Sequence, residues 1–575
     1  MPEPQLAEPL AGQAGADRAL LDAVDWWVIG AYLVVILAVG CLAWWLRRRG
    51  SEGSGYFLAG RSLTWPIIGM ALFSTNISSI HLVSLAQAGY DSGLARGNFE
   101  WMAAFTLLIL ALCFAPFYIR SGVTTLPDFL QKRYSRGLRD WLAVVSILSA
   151  IFIHLGFTLY TGAQVLKGFV SFPDSWLAVC DAQTWCIILT AVVTGVYTIV
   201  GGLLAVVLTE SLQTIVLIAG AALLTWYGYA EVGGWGPLQS TLAEKAEYAA
   251  HLTLLRPADD PSGLPWYSIV LGYPVIGIWY WCTDQTIVQR VLGAKNENHA
   301  RIGPLFAGFL KILPVFIFVL PGTLCLASIL QQNIPALPLD KQGNPDTLQT
   351  YVHMIKHWLP LGLRGIVIAA LLAALMSTVS GALNSIATLF SYDLVKRWRP
   401  EVSDRSLVRI GRAVTLAAMV AAILWSPWLE HYQSVFDGIN KMIGYVAPPV
   451  TALFLWGVFW RRASATAALA TAWAGTLLGV ACCVFEWCGG FQWLKETVGI
   501  DVPFMLVPVF LFVVCSAILV VVSLARPESL SPEGEGLVWK KPWDALRGPW
   551  RGLGDFRLIA AALCAAMIGL YWWFD

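Results

Sequence analysis

Charge is what this sequence has least of: 13% of its 575 residues are Asp, Glu, Lys or Arg, while 57% are apolar. A water-facing surface for a chain of that length needs far more charge, so the shortage makes the bilayer its solvent. The net charge of +1 gives no case for nucleic acid or an acidic partner. Catalytic signatures are also missing. The sequence has no Gly-rich phosphate loop, HExxH, GxSxG or CxxC metal pair, and its polar segments are too short for a catalytic domain, which argues against an enzyme. The 11 cysteines lack metal-ligand spacing, and Cys41, Cys113, Cys325, Cys482, Cys483, Cys515 and Cys564 lie inside apolar runs as small fillers. Cys180 and Cys186 are the one pair placed to meet in an oxidising loop. The start carries Glu3, Glu8, Asp17, Asp22 and Asp25 and lacks a basic start followed by an apolar core, so no cleavable signal peptide is expected.

What is abundant is apolar sequence in long runs. At about 1.5 Å per residue, roughly 18 apolar residues cross a hydrocarbon core of about 30 Å as a helix. About fourteen runs qualify: 26–46, 65–90, 99–119, 141–168, 184–201, 205–229, 267–291, 303–329, 361–391, 409–427, 436–460, 464–486, 503–525 and 557–574. They predict an all-α polytopic membrane protein. Basic residues favour cytoplasmic loops, and here they fall on one side of the alternation. They are Arg47 to Arg49; Lys132, Arg133, Arg136 and Arg139; Arg290, Lys295 and Arg301; Lys396, Arg397, Arg399, Arg405 and Arg409; Arg461 and Arg462; and Lys540, Lys541, Arg547 and Arg551. The acidic 1–25 tail and the 230–266 and 331–357 loops fall on the other side. Both termini are therefore expected outside the plasma (inner) membrane, extracellular or periplasmic, which requires an even number of spans. The alternative is that two neighbouring spans form one helical hairpin. The 526–556 stretch, with Pro527, Pro532, Pro542 and Pro549 among charges, is expected as a solvated cytoplasmic linker to the last span.

Polar, poorly helical stretches inside a span are tolerated where they line a cavity or are buried in protein. Three spans carry them: Ser74 to His81 in the second, Gly272 to Gln285 in the seventh, and Ser377 to Ser385 in the ninth. Each also has a packing explanation, since hydroxyls bond back to their own helix. The first two lie five spans apart. Interrupted helices at corresponding positions of two five-span halves point to an inverted-repeat transporter, with an extra first helix at 26–46, repeats at 65–229 and 267–460, and peripheral helices at 464–525.

A charge deep in a span costs about 2.5–3.5 kcal/mol on insertion scales, so each needs a partner or a task. The candidates are Glu100, Glu210, Asp284, Lys311 and Lys441. Asp284 is expected to pair with nearby Arg290. Lys311 has two readings, a pocket group or an ammonium snorkelling to the interface. Carbonyls freed near Ser74 and Ile77, facing the hydroxyls of Ser377 and Thr378, would form a neutral oxygen cage suited to a small monovalent cation. Asn76, His81, Glu100, Tyr280, Trp281, Lys311 and Asn440 would suit a polyhydroxylated solute, with donors, acceptors and aromatic faces.

The stretches FLAGRS (57–62), FSTNISSIH (73–81), GNFEW (97–101), GGLLAVVLTESLQT (201–214), WYWCTDQTIVQRVLGAK (279–295), FLKILP (309–314), ALMSTVSGALNSIATLF (374–390) and APP (447–449) resemble the sodium/solute symporter family, in its sodium/glucose cotransporter branch. The resemblance covers about residues 26–490. It implies a LeuT-type fold with two inverted five-helix repeats, sodium as coupling ion with no other cofactor, and sodium-coupled import of a sugar or related polyol by alternating access. It also implies a sodium site at the carbonyls of Ser74, Ile77 and Ala374 and the hydroxyls of Ser377 and Thr378. Six of those seven residues, Asn76, His81, Glu100, Tyr280, Trp281 and Lys311, match the family's solute contacts, Tyr280 doubles as an inner gate, and Leu85, Phe99 and Phe436 match its outer gate. Three positions depart from the pattern. Asn440 stands where sugar carriers usually have Gln, and Lys441 follows it. Glu210, a candidate for a second cation, stands where many members have Asp. Gly381 stands where a serine is associated with a second sodium, so one sodium per cycle is expected. Two rivals stay open: a non-transporting sugar sensor of the same fold, and a symporter for myo-inositol, another polyol, or an amino or organic acid.

Overall fold

The computed structural model describes residues 21–47, 56–260, 264–340, 342–431 and 435–574, so most of the 1–25 tail, together with Arg48 and Arg49, lies outside the described residues. The described residues are helical, with isolated bridges and no sheet. The helices used below are α1 (Ala23–Arg47), α2 (Trp65–Asn76), α3 (Ser79–Ser92), α4 (Asn98–Ile109), α5 (Arg136–Ser149), α6 (Gly156–Leu166), α7 (Ala182–Val232), α8 (Trp266–Ile278), α9 (Gln285–Leu292), α10 (Glu297–Leu310), α11 (Leu320–Leu330), α12 (Arg364–Leu389), α13 (Asp404–Trp425), α14 (Val435–Phe459), α15 (Ala465–Trp487), α16 (Leu506–Ala525) and α17 (Phe556–Trp573).

Among the described residues, 12 segments are long and apolar enough to cross a membrane, against the fourteen expected. The difference comes from the expected spans 65–90 and 267–291, each divided into two short helices: α2 and α3, then α8 and α9. The boundary expected between 201 and 205 is present, because α7 is two helices joined at Gly202, where φ is +67°. A Cβ there would lie 2.7 Å from the carbonyl oxygen of Tyr56, so both conformation and space require glycine. Small residues let the helices approach closely, as membrane packing demands. Gly89 of α3 and Gly322 of α11 each face the other helix's backbone, and Gly220 of α7 faces Ala370 of α12. Helix α12 is buried along most of its length, with α7, α1 and α13 packed around it.

Two open readings are decided and two expectations are corrected. The polar run in the ninth span does not break its helix. Helix α12 runs through it without interruption: Ser380 donates back to the Ser377 carbonyl at 3.0 Å, while Ser377 and Thr378 reach across to carbonyls of α2. Asp284 does not pair with Arg290. Asp284 caps α9, its carboxylate accepting the Thr286 N–H at 2.6 Å, and a residue six positions further along points to a different helix face. Cys180 and Cys186 are both free thiols, Cys186 being buried on α7 while Cys180 precedes that helix. The 526–556 stretch is not merely solvated. Leu537, Val538 and Trp539 are buried, and Trp539 donates its backbone N–H to Val458 and its indole N–H to Cys113, both at 3.0 Å. An apolar triplet among prolines and charges is enough to dock the segment on the helix ends.

Candidate functional site

The first break is a helix end placed in the middle of the protein. The last four carbonyls of α2 have no donor within the helix beyond the one that Phe73 receives from the Ile77 N–H at 2.9 Å. Ile77 is extended (φ −74°, ψ 101°), and Ser78 then caps α3, its hydroxyl accepting from the Ile80 N–H at 3.2 Å while its own N–H donates to His81 Nδ1 at 3.2 Å. The cap therefore uses neutral groups, and the freed carbonyls of α2 face α12. There the Ser377 hydroxyl reaches the Ser74 carbonyl at 2.8 Å and the Ala374 carbonyl at 3.0 Å, while Thr378 donates to the Thr75 carbonyl at 2.9 Å. Ser74, Ile77, Ala374, Ser377 and Thr378 are all buried, so the expected cation set lies on two facing elements. The Ser74 hydroxyl is buried with no protein partner. Neutral, hard oxygens with one hydroxyl left over fit a small monovalent cation. The Thr75 carbonyl belongs to the same freed group and was not anticipated.

All seven expected solute residues line one cavity, together with Phe99 and Thr378. Lys311, the residue following α10, contacts Glu100 and donates to Asn76 Oδ1 at 2.5 Å. Asn76 in turn donates to the Tyr280 hydroxyl at 3.1 Å. Because His81 Nδ1 accepts from Ser78, Nε2 carries the proton and faces Glu100 Oε1 at 3.5 Å. The Lys311 ammonium also lies over the Trp281 ring, 5.5 Å from its centroid. Asn440 lines the wall, whereas Lys441 turns away to pair with Glu486 of α15. Among the expected gate residues, Phe99 meets Tyr273 edge-on at 5.9 Å, Leu85 is buried in α3 away from the cavity lining, and the side chain of Phe436 lies outside the described residues. Glu210 is fully buried against Arg290 and accepts from the Thr75 hydroxyl at 2.9 Å.

His154 and Tyr273 also line the cavity and were missed as site residues from the sequence. His154 Nε2 lies 3.1 Å from Asp284 Oδ2, which ties the second break to the turn between α5 and α6. A survey of membrane-embedded ionisable groups that included histidine would have singled it out.

The family model for sodium:solute symporters matches residues 56–475. The chain belongs to that family. As a member it is a sodium-coupled solute symporter, with sodium as its coupling ion, and a multi-pass membrane protein. Sodium/glucose cotransporter 1 of Ovis aries is 33% identical over 552 residues, covering 91% of this chain and 81% of that protein. Sodium/glucose cotransporter 4 of Homo sapiens is 36% identical over 477 residues, covering 77% and 67%. Among solved structures, a substrate-bound, outward-open Na+-coupled sialic acid symporter superposes with a TM-score of 0.74 at 21% identity, covering 89% of this chain and all of that one. That likeness shows the fold, which is of the LeuT type.

Proposed function

We propose that this symporter imports a sugar or related polyol with one sodium ion by alternating access. The observation that carries the reading is convergence. Side chains from α2, α3, α4 and α14, from the turn after α8 and from the end of α10 line one cavity, and Thr378 borders both that cavity and the freed carbonyls. Donors and acceptors interleaved with the faces of Tyr280 and Trp281 suit a polyhydroxylated ring. Glu100 neutralises Lys311, so a solute carboxylate would meet a balanced pair, which favours a neutral sugar over an organic acid. The cotransporters named above, with glucose in their names, support the same substrate class. Asn440, one methylene shorter than the Gln expected of a glucose carrier, keeps myo-inositol and other polyols as competing cargo.

The carbonyls of Ser74, Ile77 and Ala374 and the hydroxyls of Ser377 and Thr378 would hold sodium, once the Ser377 proton turns away from the carbonyls it now serves. One charge moving inward gains about 2.3 kcal/mol per 100 mV, enough for more than about tenfold accumulation. Residues 65–229 and 267–460 act as the two repeats that rock around the site, with Leu85, Phe99 and Phe436 closing it outward and Tyr280 inward. Each broken pair, α2 with α3 and α8 with α9, completes one crossing, which gives fourteen spans and places both termini outside the plasma membrane. Uptake of labelled sugar into proteoliposomes, with and without a sodium gradient and against a panel of sugars, inositols and acids, tests the reading. Sodium-driven accumulation displaced by sugars is expected. Sodium-dependent binding without accumulation would mark a sensor, and displacement by acids alone would overturn the substrate class.

A further inference from the structure

A second charge cluster lies outside the cavity lining, next to the cation oxygens. Arg290 of α9 and Glu210 of α7 are both fully buried side chains. Arg290 Nε donates to Glu210 Oε2 at 3.2 Å, Nη2 contacts the other carboxylate oxygen, and Nη1 donates to the Thr286 carbonyl. The Thr75 hydroxyl lies 2.9 Å from Glu210 Oε1 and 2.7 Å from the Ala71 carbonyl of its own helix, two acceptors that share its one proton, and the Thr75 carbonyl accepts from Thr378 at 2.9 Å. The line Arg290, Glu210, Thr75, Thr378 therefore runs from the helix after the second break to the carbonyls at the first break and on to α12.

Gly381 decides whether that line can exist. A Cβ on Gly381 would fall 2.6 Å from Arg290 Nη2 and 3.3 Å from Glu210 Oε1, so the missing side chain is what lets the guanidinium lie against α12. A carboxylate buried in a span without a partner would draw a cation from solution. Here the planar guanidinium occupies that role permanently, with two parallel contacts.

We propose that Arg290 is a resident cation that saturates Glu210 and, through Thr75, positions the freed α2 carbonyls so that the site takes a single sodium, with Gly381 the residue that admits it. The inference rests on the reading that the Ser74 and Ser377 region holds sodium. Arg290, Glu210, Thr75 and Gly381 act as positioning residues, because the proposed sodium ligands are Ser74, Ile77, Ala374, Ser377 and Thr378, and Glu210, the second-cation candidate of the sequence, is occupied by Arg290.

Sodium titration of sugar uptake by the full-length protein in proteoliposomes tests it. The wild type should show a Hill coefficient near 1 and roughly one charge per solute. Thr75→Val, which keeps shape but removes the hydroxyl, should raise the half-saturating sodium concentration roughly three- to tenfold. Solute affinity at saturating sodium should stay unchanged. Thr75→Ser should restore wild-type sodium dependence, which a merely structural role would not require. Gly381→Ala should weaken sodium in the same sense by displacing the guanidinium. A half-saturating concentration within about twofold of wild type in both Thr75→Val and Gly381→Ala overturns the positioning role, as does a wild-type Hill coefficient near 2, while leaving the cation site in place. A wild type without sodium dependence overturns the cation site and this inference together.

Discussion

Two of the buried ion pairs among the described residues, Lys311 with Glu100 and Arg290 with Glu210, differ in chemistry in the way their surroundings differ. Lys311 and Glu100 line the solute cavity, and each keeps a second polar neighbour, Asn76 for the lysine and His81 for the glutamate. Arg290 and Glu210 are sealed away from that cavity, and their remaining partners are a backbone carbonyl and the Thr75 hydroxyl. Lysine is a flexible point charge able to trade partners, whereas arginine is a rigid fork suited to one geometry. The difference teaches that burial alone does not define a pair's task. A pair beside a ligand needs exchangeable contacts, and a pair that holds helices in register needs fixed ones.

Breaking the sealed pair should have the largest effect. Arg290→Ala takes away the guanidinium that compensates Glu210, a loss of about 3–5 kcal/mol, visible in sodium-free buffer as a large fall in the unfolding temperature of the detergent-solubilised protein. An unfolding temperature equal to wild type would remove the distinction between the pairs. Lys311→Ala should come next, with a different signature. Glu100 retains His81 and the cavity, so the main effect is on solute binding, about 1.5–3 kcal/mol or roughly ten- to more than hundredfold in affinity. Equilibrium binding of labelled sugar measures it. A stability loss as large as that of Arg290→Ala, with unchanged affinity, would make Lys311 a structural residue.

How far these pairs could be seen in the sequence follows from where their partners lie. Lys311, Glu100 and Glu210 were visible singly, since charges in apolar runs stand out, and the break at Ser74 to His81 was visible as a polar run that also carries its own cap. Partner choice was not. Arg290 is six residues from Asp284, yet the capping geometry of Asp284 sends its carboxylate to the Thr286 amide and to His154, 130 residues away, while Arg290 finds Glu210, 80 residues away. Local spacing carries no signal for such pairings. The polar run in α12 stayed ambiguous for a related reason: sequence alone does not separate hydroxyls that bond back to their own helix, as Ser380 does, from hydroxyls that face a neighbouring break, as Ser377 and Thr378 do.

A smaller effect should sharpen the picture of exchangeable contacts. Tyr280→Phe removes the oxygen that accepts from Asn76 Nδ2 at 3.1 Å, but Asn76 Oδ1 keeps Lys311. One neutral hydrogen bond contributes about 0.5–1.5 kcal/mol, so solute affinity should fall by roughly two- to tenfold with the sodium dependence of uptake unchanged. A shift in sodium dependence instead would tie Tyr280 to the cation site.

The smallest effect is expected from a third pair, more exposed than either of the two above. Lys441 stands beside Asn440 in sequence, yet its ammonium pairs with Glu486 of α15, with the two side chains 37% and 28% exposed. Pairs of that exposure contribute about 0–1 kcal/mol, because solvent screens the charges and holding two long side chains in one geometry opposes the gain. Tyr445 also donates to Glu486, so the carboxylate keeps a partner when the lysine is removed. Lys441→Ala should therefore change stability by under about 0.5 kcal/mol and leave the competition profile of sugars, inositols and acids as it is in the wild type. If the profile shifts, Lys441 reaches the solute in some step of the cycle, and the contrast between buried, exchangeable and exposed pairs has to be redrawn around three pairs instead of two.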